Sequence, residues 1–298
     1  MKRKLSIFTA LIVSLCACNN TTTTNDIPQI QDDDPPIVES KSFYYGAFLG
    51  RNENNLKGLS SYQYVSLEID EFKKVHIQNL DKNGTRVFAY LNVGSLETYR
   101  DYYNQFKDIT FADYENWEDE RWIKISDTSW QNFVVNTLAK HFKEMGAYGV
   151  YMDNIDVYTV WSEQGHNKND FVSGIRNIIK GVNDLGLKVM VNGGSEFFDD
   201  MLDRNDEIID SVYAYHQEEV FSLIDDYDDD VFTNQCEEDK NYYQEIASRM
   251  KAKGKEIYNY LLHKFKDLCL TDENFKKGDL IGYVGSTGQV TGPHLHFE

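Results

Sequence analysis

GVYMDNIDVY, residues Gly149–Tyr158, is the stretch on which the reading of this chain turns. It opens with a short apolar run lacking the polar alternation of a half-buried strand, so it reads as a strand covered on both faces. Such strands belong to parallel sheets. Asp153, Asn154 and Asp156 follow where the apolar run stops. Working outward, similar runs recur at Phe43–Leu49, Tyr62–Ile69, Arg86–Val93, Leu187–Asn192, Ser211–Tyr215 and Glu256–Leu262. Amphipathic stretches separate them. In SWQNFVVNTLAKHFKEMGA, Phe133, Val134, Leu138, Phe142 and Met145 recur at helical spacing. DFVSGIRNIIKGVNDLG and NYYQEIASRMKAKG repeat that pattern and end on glycine. Strand–helix repetition over this length predicts an α/β chain folded as a (β/α)8 TIM barrel. No Gly-x-Gly-x-x-Gly follows the first strand, which removes the main support for a doubly wound dinucleotide fold. The strands number seven, so the barrel lacks its eighth.

In such barrels chemistry collects where strands end. The third strand delivers Tyr90, Asn92, Glu97, Tyr99 and Arg100; the fourth Asp153, Asn154 and Asp156; the fifth Asn192. Past the sixth stand His216, Gln217, Glu218 and Glu219. Carboxylates brought to one rim from separate strands suit glycosidic hydrolysis: one protonates the leaving oxygen while the other attacks or activates water. Trp117, Trp122, Tyr102 and Tyr103 offer faces on which sugars stack. Two plainer readings stand beside these: Asp156 as a loop cap, and Trp122 as packing beneath its loop. With 30 Lys and Arg against 49 Asp and Glu, a net charge of −19 argues against nucleic acid and favours a cationic or neutral ligand.

FAYLNVGSLETYRDYY, YENWEDERWIKIS, GAYGVYMDNIDVY, VMVNGGSEFF and DSVYAYHQEEVF resemble, in order and spacing, family-114 glycoside hydrolases, the endo-α-1,4-polygalactosaminidase-like barrels. The resemblance runs from about Phe43 to Leu262. It implies a (β/α)8 fold and endo-hydrolysis of galactosamine-containing polysaccharide, with no cofactor or metal. It places the catalytic Asp at Asp153 and the catalytic Glu at Glu218, with Glu219 the adjacent alternative. Tyr90, Glu97, Arg100, Trp122, Asn154, Asp156 and Asn192 become the substrate-binding candidates. Partly deacetylated galactosamine polymers are cationic. From Glu218 to Asp239 the chain carries ten acidic residues and no Lys or Arg, a loop suited to attracting such a polymer.

The two ends read differently. Residues 1–18, MKRKLSIFTALIVSLCAC, have a basic start and an apolar run too short to span a membrane, as in an export signal. LCAC resembles a bacterial lipobox, which implies a lipidated Cys18 anchoring the protein to a membrane in the cell envelope. Residues 19–40, rich in Thr and Asp with little aliphatic bulk, read as a tether, and residues 41–263 as the barrel. Outside the cytoplasm Cys236 and Cys269 either pair or remain two free thiols.

Residues 264–298 make a short β-rich tail ending in GPHLHFE. From about Asn274 it resembles a fragment of a lysostaphin-type zinc endopeptidase, which implies His296 as a zinc ligand and His294 as a base. A catalytic zinc takes three protein ligands. The upstream pair His263 and Asp267 stands much closer to His294 than that fold allows, so the tail reads as a remnant. Two rivals to the glycosidase remain: a zinc endopeptidase acting on peptidoglycan, and a non-catalytic polysaccharide-binding lipoprotein.

Overall fold

The structure, a computed structural model, describes residue 41 and residues 43–115, 117–226 and 231–259. Cys18, the tether, Cys269, His294 and His296 lie outside the described residues, as do His263 and Asp267.

Seven parallel strands form the main sheet, in the order β1 (Phe43–Ala47), β2 (Tyr62–Leu67), β3 (Arg86–Asn92), β7 (Gly149–Asp153), β8 (Lys188–Asn192), β9 (Ala214–Gln217) and β12 (Glu256–Asn259). These are the seven anticipated strands in their chain order, curled into a nearly closed barrel ringed by helices. β1 and β12 flank the opening, and side chains bridge it: Tyr44 Oη donates to Glu256 Oε2 at 2.7 Å, and Tyr45 stacks on Tyr258 at 4.5 Å.

Period two along each strand sorts the core into two compartments. One set of side chains, including Tyr45, Tyr64, Phe88, Tyr90, Tyr151, Met190, Ala214 and Tyr258, fills the barrel. The other, including Val65, Val87, Leu91, Val150, Met152, Val189 and Val191, packs outward against the helices. The helix Lys168–Asp184 answers with Phe171, Ile175, Ile178, Ile179 and Val182, all buried on one stripe, and Asn167 caps its start by accepting from Asn169 N at 3.0 Å.

Three local departures from expectation have physical causes. The helical stretch Thr128–Met145 contains a π segment at Val134–Ala139, so the apolar stripe steps by five residues there. Ala139, rather than Leu138, is therefore the fully buried position. The sixth barrel strand starts three residues later than anticipated, because Ile208–Ser211 closes a short helix. His216 and Gln217 consequently lie within the strand instead of past it. Finally, two antiparallel additions carry no strong periodicity: a three-stranded sheet of β4 (Ser95–Glu97), β5 (Thr110–Asp113) and β6 (Glu120–Ile123), and a hairpin of β10 (Ser222–Asp226) and β11 (Val231–Asn234). The first sits directly after β3, on the rim.

Candidate active site

The inward positions of the strands continue upward into polar residues. Tyr90 is followed two residues on by Asn92, Tyr151 by Asp153, Met190 by Asn192, and Ala214 by His216. The register pairs Asn92 with Asp153 and Asn192 with His216, so these side chains share one level of the barrel. One further inward step past His216 is Glu218, which leaves Glu219 on the other parity. Geometry agrees, since Asn192 Nδ2 donates to Glu218 Oε1 at 3.0 Å and to Asp153 Oδ1 at 2.9 Å. One amide nitrogen thus ties together carboxylates from two strands.

The two acids are not equivalent. Asp153 accepts three hydrogen bonds: from Asn192, from Tyr90 Oη at 3.0 Å, and from the Asn154 backbone N–H at 2.9 Å. Burial raises its pKa and these donors oppose the rise. Glu218 is pushed up to about 8, first by burial and then by the negative charge of Asp153, against the single Asn192 bond. Burial and the Asp153 charge thus favour the protonated form of Glu218 at neutral pH, while three donors favour the charged form of Asp153. His216 does not compete as an acid or base. It is fully buried, its Nδ1 lies 2.7 Å from Tyr151 Oη, and burial lowers its pKa to about 3.

Asn154 holds a left-handed backbone, φ 63°, costly for a residue with a Cβ and often found where a site fixes a side chain. Its amide Nδ2 donates to Asn92 Oδ1 (3.1 Å), Ser95 Oγ (3.1 Å) and Glu120 Oε2 (3.3 Å), while its Oδ1 accepts from Tyr114 Oη at 3.3 Å. Gly94 makes this contact between the β3 and β7 ends possible: a Cβ there would sit 1.7 Å from the Asn154 carbonyl oxygen. Asp156 is exposed at the mouth, where its Oδ1 accepts from the Gly194 N–H at 2.9 Å. A Cβ on Gly193, φ 66°, would press within 2.3 Å of its other oxygen.

Some anticipated residues stand elsewhere. Trp122 is 3% exposed, its ring covered by Tyr114 at 4.1 Å in a stacked pair, and it is Tyr114 that reaches Asn154. The packing role is the one this structure supports. Tyr102 likewise packs on Trp130 and Phe133 instead of facing the rim. Glu97 is buried, and Arg100 engages it through Nε and through Nη2 at 3.2 Å, while Nη2 also donates to Glu68 at 2.7 Å. Tyr99 Oη completes the cluster on Glu97 at 2.7 Å. This ion-pair cluster braces the rim next to Tyr90, over whose ring the Arg100 guanidinium lies at 6.0 Å.

Strand-end reading missed Glu120, Ser95 and Tyr114, because all three belong to the rim sheet or its approach. Glu120 Oε2 accepts from Ser95 Oγ, Asn92 Nδ2 (3.1 Å) and Asn154 Nδ2 (3.3 Å). Burial, with the nearby charges of Glu97 and Asp153, raises its pKa to about 6. The available signal was the repeated acid in EDERW, whose Glu120 stands two residues before Trp122.

With this geometry in hand, similarity to known proteins can be placed. The family model for glycoside hydrolases of family GH114 matches residues 35–266. The glycoside hydrolase domain of PelA from Pseudomonas aeruginosa aligns with a TM-score of 0.57 at 18% identity, covering 73% of this chain and 82% of that domain. Ega3 of Aspergillus fumigatus, solved in complex with galactosamine, aligns at 0.55 and 16% identity over 77% of this chain and 80% of its own. A stretch of 37 residues is 54% identical to the peptidoglycan DD-endopeptidase ShyC of Vibrio cholerae. That is 12% of this chain and 8% of that protein, too small a share to bring its activity here.

Proposed function

From the premise that this chain belongs to glycoside-hydrolase family GH114, we propose that it cleaves a galactosamine-containing polysaccharide internally, at α-1,4 linkages, with retention at the anomeric carbon. The observation that carries the mechanism is the shared Asn192 amide. With its nitrogen 2.9 Å from Asp153 and 3.0 Å from Glu218, the two bound oxygens lie no more than about 6 Å apart. That spacing is near the roughly 5–5.5 Å of retaining pairs and below the roughly 6.5–9.5 Å that leaves room for an attacking water. Asp153, the better solvated by donors, attacks C1 and forms a glycosyl ester as the C1–O bond breaks. Glu218 gives its proton to the departing oxygen. Water then adds to C1 as Glu218 takes its proton back, and the ester bond to Asp153 breaks.

The galactosamine assignment draws on the family, on the galactosamine complex of Ega3, and on a net charge of −19 in the chain. The sequence of residues 1–18 supports an exported protein held at the bacterial envelope through lipidated Cys18, where a secreted or cell-bound cationic polymer would be within reach. The test is incubation of the protein with partly de-N-acetylated α-1,4-galactosaminoglycan and, separately, with peptidoglycan. Released oligosaccharides that initially keep the α configuration are expected from the first. An intact polymer after prolonged incubation would overturn the hydrolytic reading, and cleaved peptide bridges in the second would make the peptidase primary.

A further inference from the structure

The acids around the cleft differ in what balances them. Glu97 and Glu68 share Arg100. Asp156, at the exposed edge of the cleft, accepts the Gly194 backbone N–H at 2.9 Å. Glu120 is half-buried, and every partner of its Oε2 is neutral: a serine hydroxyl and two asparagine amides. Among the described residues its Oε1 accepts no hydrogen bond, and no Lys or Arg pairs with it. Its charged neighbours, Glu97 and Asp153, repel it. A carboxylate kept ionised in such company is costly unless a cation arrives. A second unmet need lies on the same floor. Asn192, 7% exposed, spends its Nδ2 on Asp153 and Glu218, and its buried Oδ1 meets no donor. The cleft thus presents acceptors without donors, one of them charged.

Asn154 sets the direction. Its backbone N–H donates to Asp153 Oδ1 at 2.9 Å and its side-chain amide to Glu120 Oε2 at 3.3 Å, so one residue holds both carboxylates in adjacent positions. If Asp153 faces C1 of the sugar, the acid one side chain away addresses the substituent on the next carbon. We propose that Glu120 is the counter-ion for a protonated 2-amine on the sugar bound against Asp153, so that the enzyme selects a free amine over an N-acetyl group at the point of cleavage. This rests on the galactosamine reading above. A purely structural Glu120 would only accept hydrogen bonds, a task glutamine performs equally well, whereas neutralising an ammonium requires the charge.

The test is calorimetric binding of galactosamine, galactose and N-acetylgalactosamine to the whole protein at pH 7, alongside the polymer assay. The wild type is expected to bind galactosamine at least tenfold more tightly than the two neutral sugars. In Glu120→Gln that preference should vanish while galactose affinity stays the same. A preference that survives in Glu120→Gln overturns the assignment, and so does a wild type that binds the three sugars alike, an outcome readable even if the variant fails to fold. Amine preference with an uncut polymer would overturn the hydrolytic reading alone; a cut polymer without amine preference would overturn this one alone.

Discussion

The two mouths of the barrel are made by the same strands and obey opposite rules. At the N-terminal mouth the inward and edge positions are aromatic, and several of their hydroxyls find partners among themselves, with the buried Tyr258 Oη the exception among the described residues. Tyr64 and Tyr213 hydroxyls meet at 2.9 Å, and Tyr44 reaches Glu256. Phe88 packs edge-on against Tyr148 at 5.5 Å, and Arg86 and Lys188 lie over Tyr148 and Tyr213. At the C-terminal mouth, carboxylates crowd each other, Asn154 carries a left-handed backbone, and an amide oxygen of Asn192 goes without a donor. One end holds the barrel together across the β1–β12 opening. The other holds groups in states that folding alone does not favour, which is where a barrel of this kind places chemistry.

If this division is sound, substitutions at the two mouths should separate activity from stability. The largest effect belongs to the C-terminal mouth. Asp153→Asn and Glu218→Gln should each lower turnover by at least about 10³-fold with unchanged circular dichroism. Near-wild-type turnover in either would remove that residue from the mechanism. A dead Glu219→Gln beside an active Glu218→Gln would show that the inward parity was misassigned.

At the N-terminal mouth the expectation is inverted. Phe88 is fully buried among Tyr64, Tyr148 and Tyr213, so Phe88→Ala should cost about 3–5 kcal/mol of unfolding free energy. Turnover per folded molecule should be nearly unaffected. Denaturant titration and an active-fraction assay measure the two quantities, and a variant that stays stable yet turns over slowly would break the contrast.

The smallest effect sharpens it. The Glu218 pKa rises from 4.5 to about 8 on folding, so the native state binds its proton more tightly than the unfolded chain. This contribution is intact below pH 4.5 and is lost as pH climbs through about 8. Glu218→Gln removes it, so the variant should gain melting temperature over the wild type with rising pH, on the order of a few degrees by alkaline pH. Wild-type kcat/KM should fall over the same upper range as the acid form disappears. A melting-temperature difference that does not change with pH would mean Glu218 is not strained in the fold.

Much of this was legible in the residues. The apolar runs of the strands and the spacing of Phe171, Ile175, Ile178 and Val182 in the helix Lys168–Asp184 are local patterns, and local backbone geometry reads them directly. Asp153 and Asn192 were visible for the same reason, since each directly ends its apolar run. Glu120 was not, because its strand is four residues long and carries no alternation to reveal it. Trp122 carried two readings, a sugar platform or packing beneath its loop, and its burial supports the second. Whether an indole faces sugar or Tyr114 depends on a neighbour eight positions back in the chain and on the fold of a sheet no pattern announced.

The sequence by itself therefore determined the order of strands and helices, the barrel class, and the set of acids lying near strand ends, because periodicity and chain order are properties of neighbours. The tertiary structure decided that Glu218 rather than Glu219 meets Asn192, since alternation along β9 carries the inward positions from Ala214 through His216 to Glu218. It alone brought Asp153 and Glu218 onto one amide and gave them unequal claims on a proton. Burial and charge repulsion sum over groups far apart in the chain, and no stretch of sequence carries that sum.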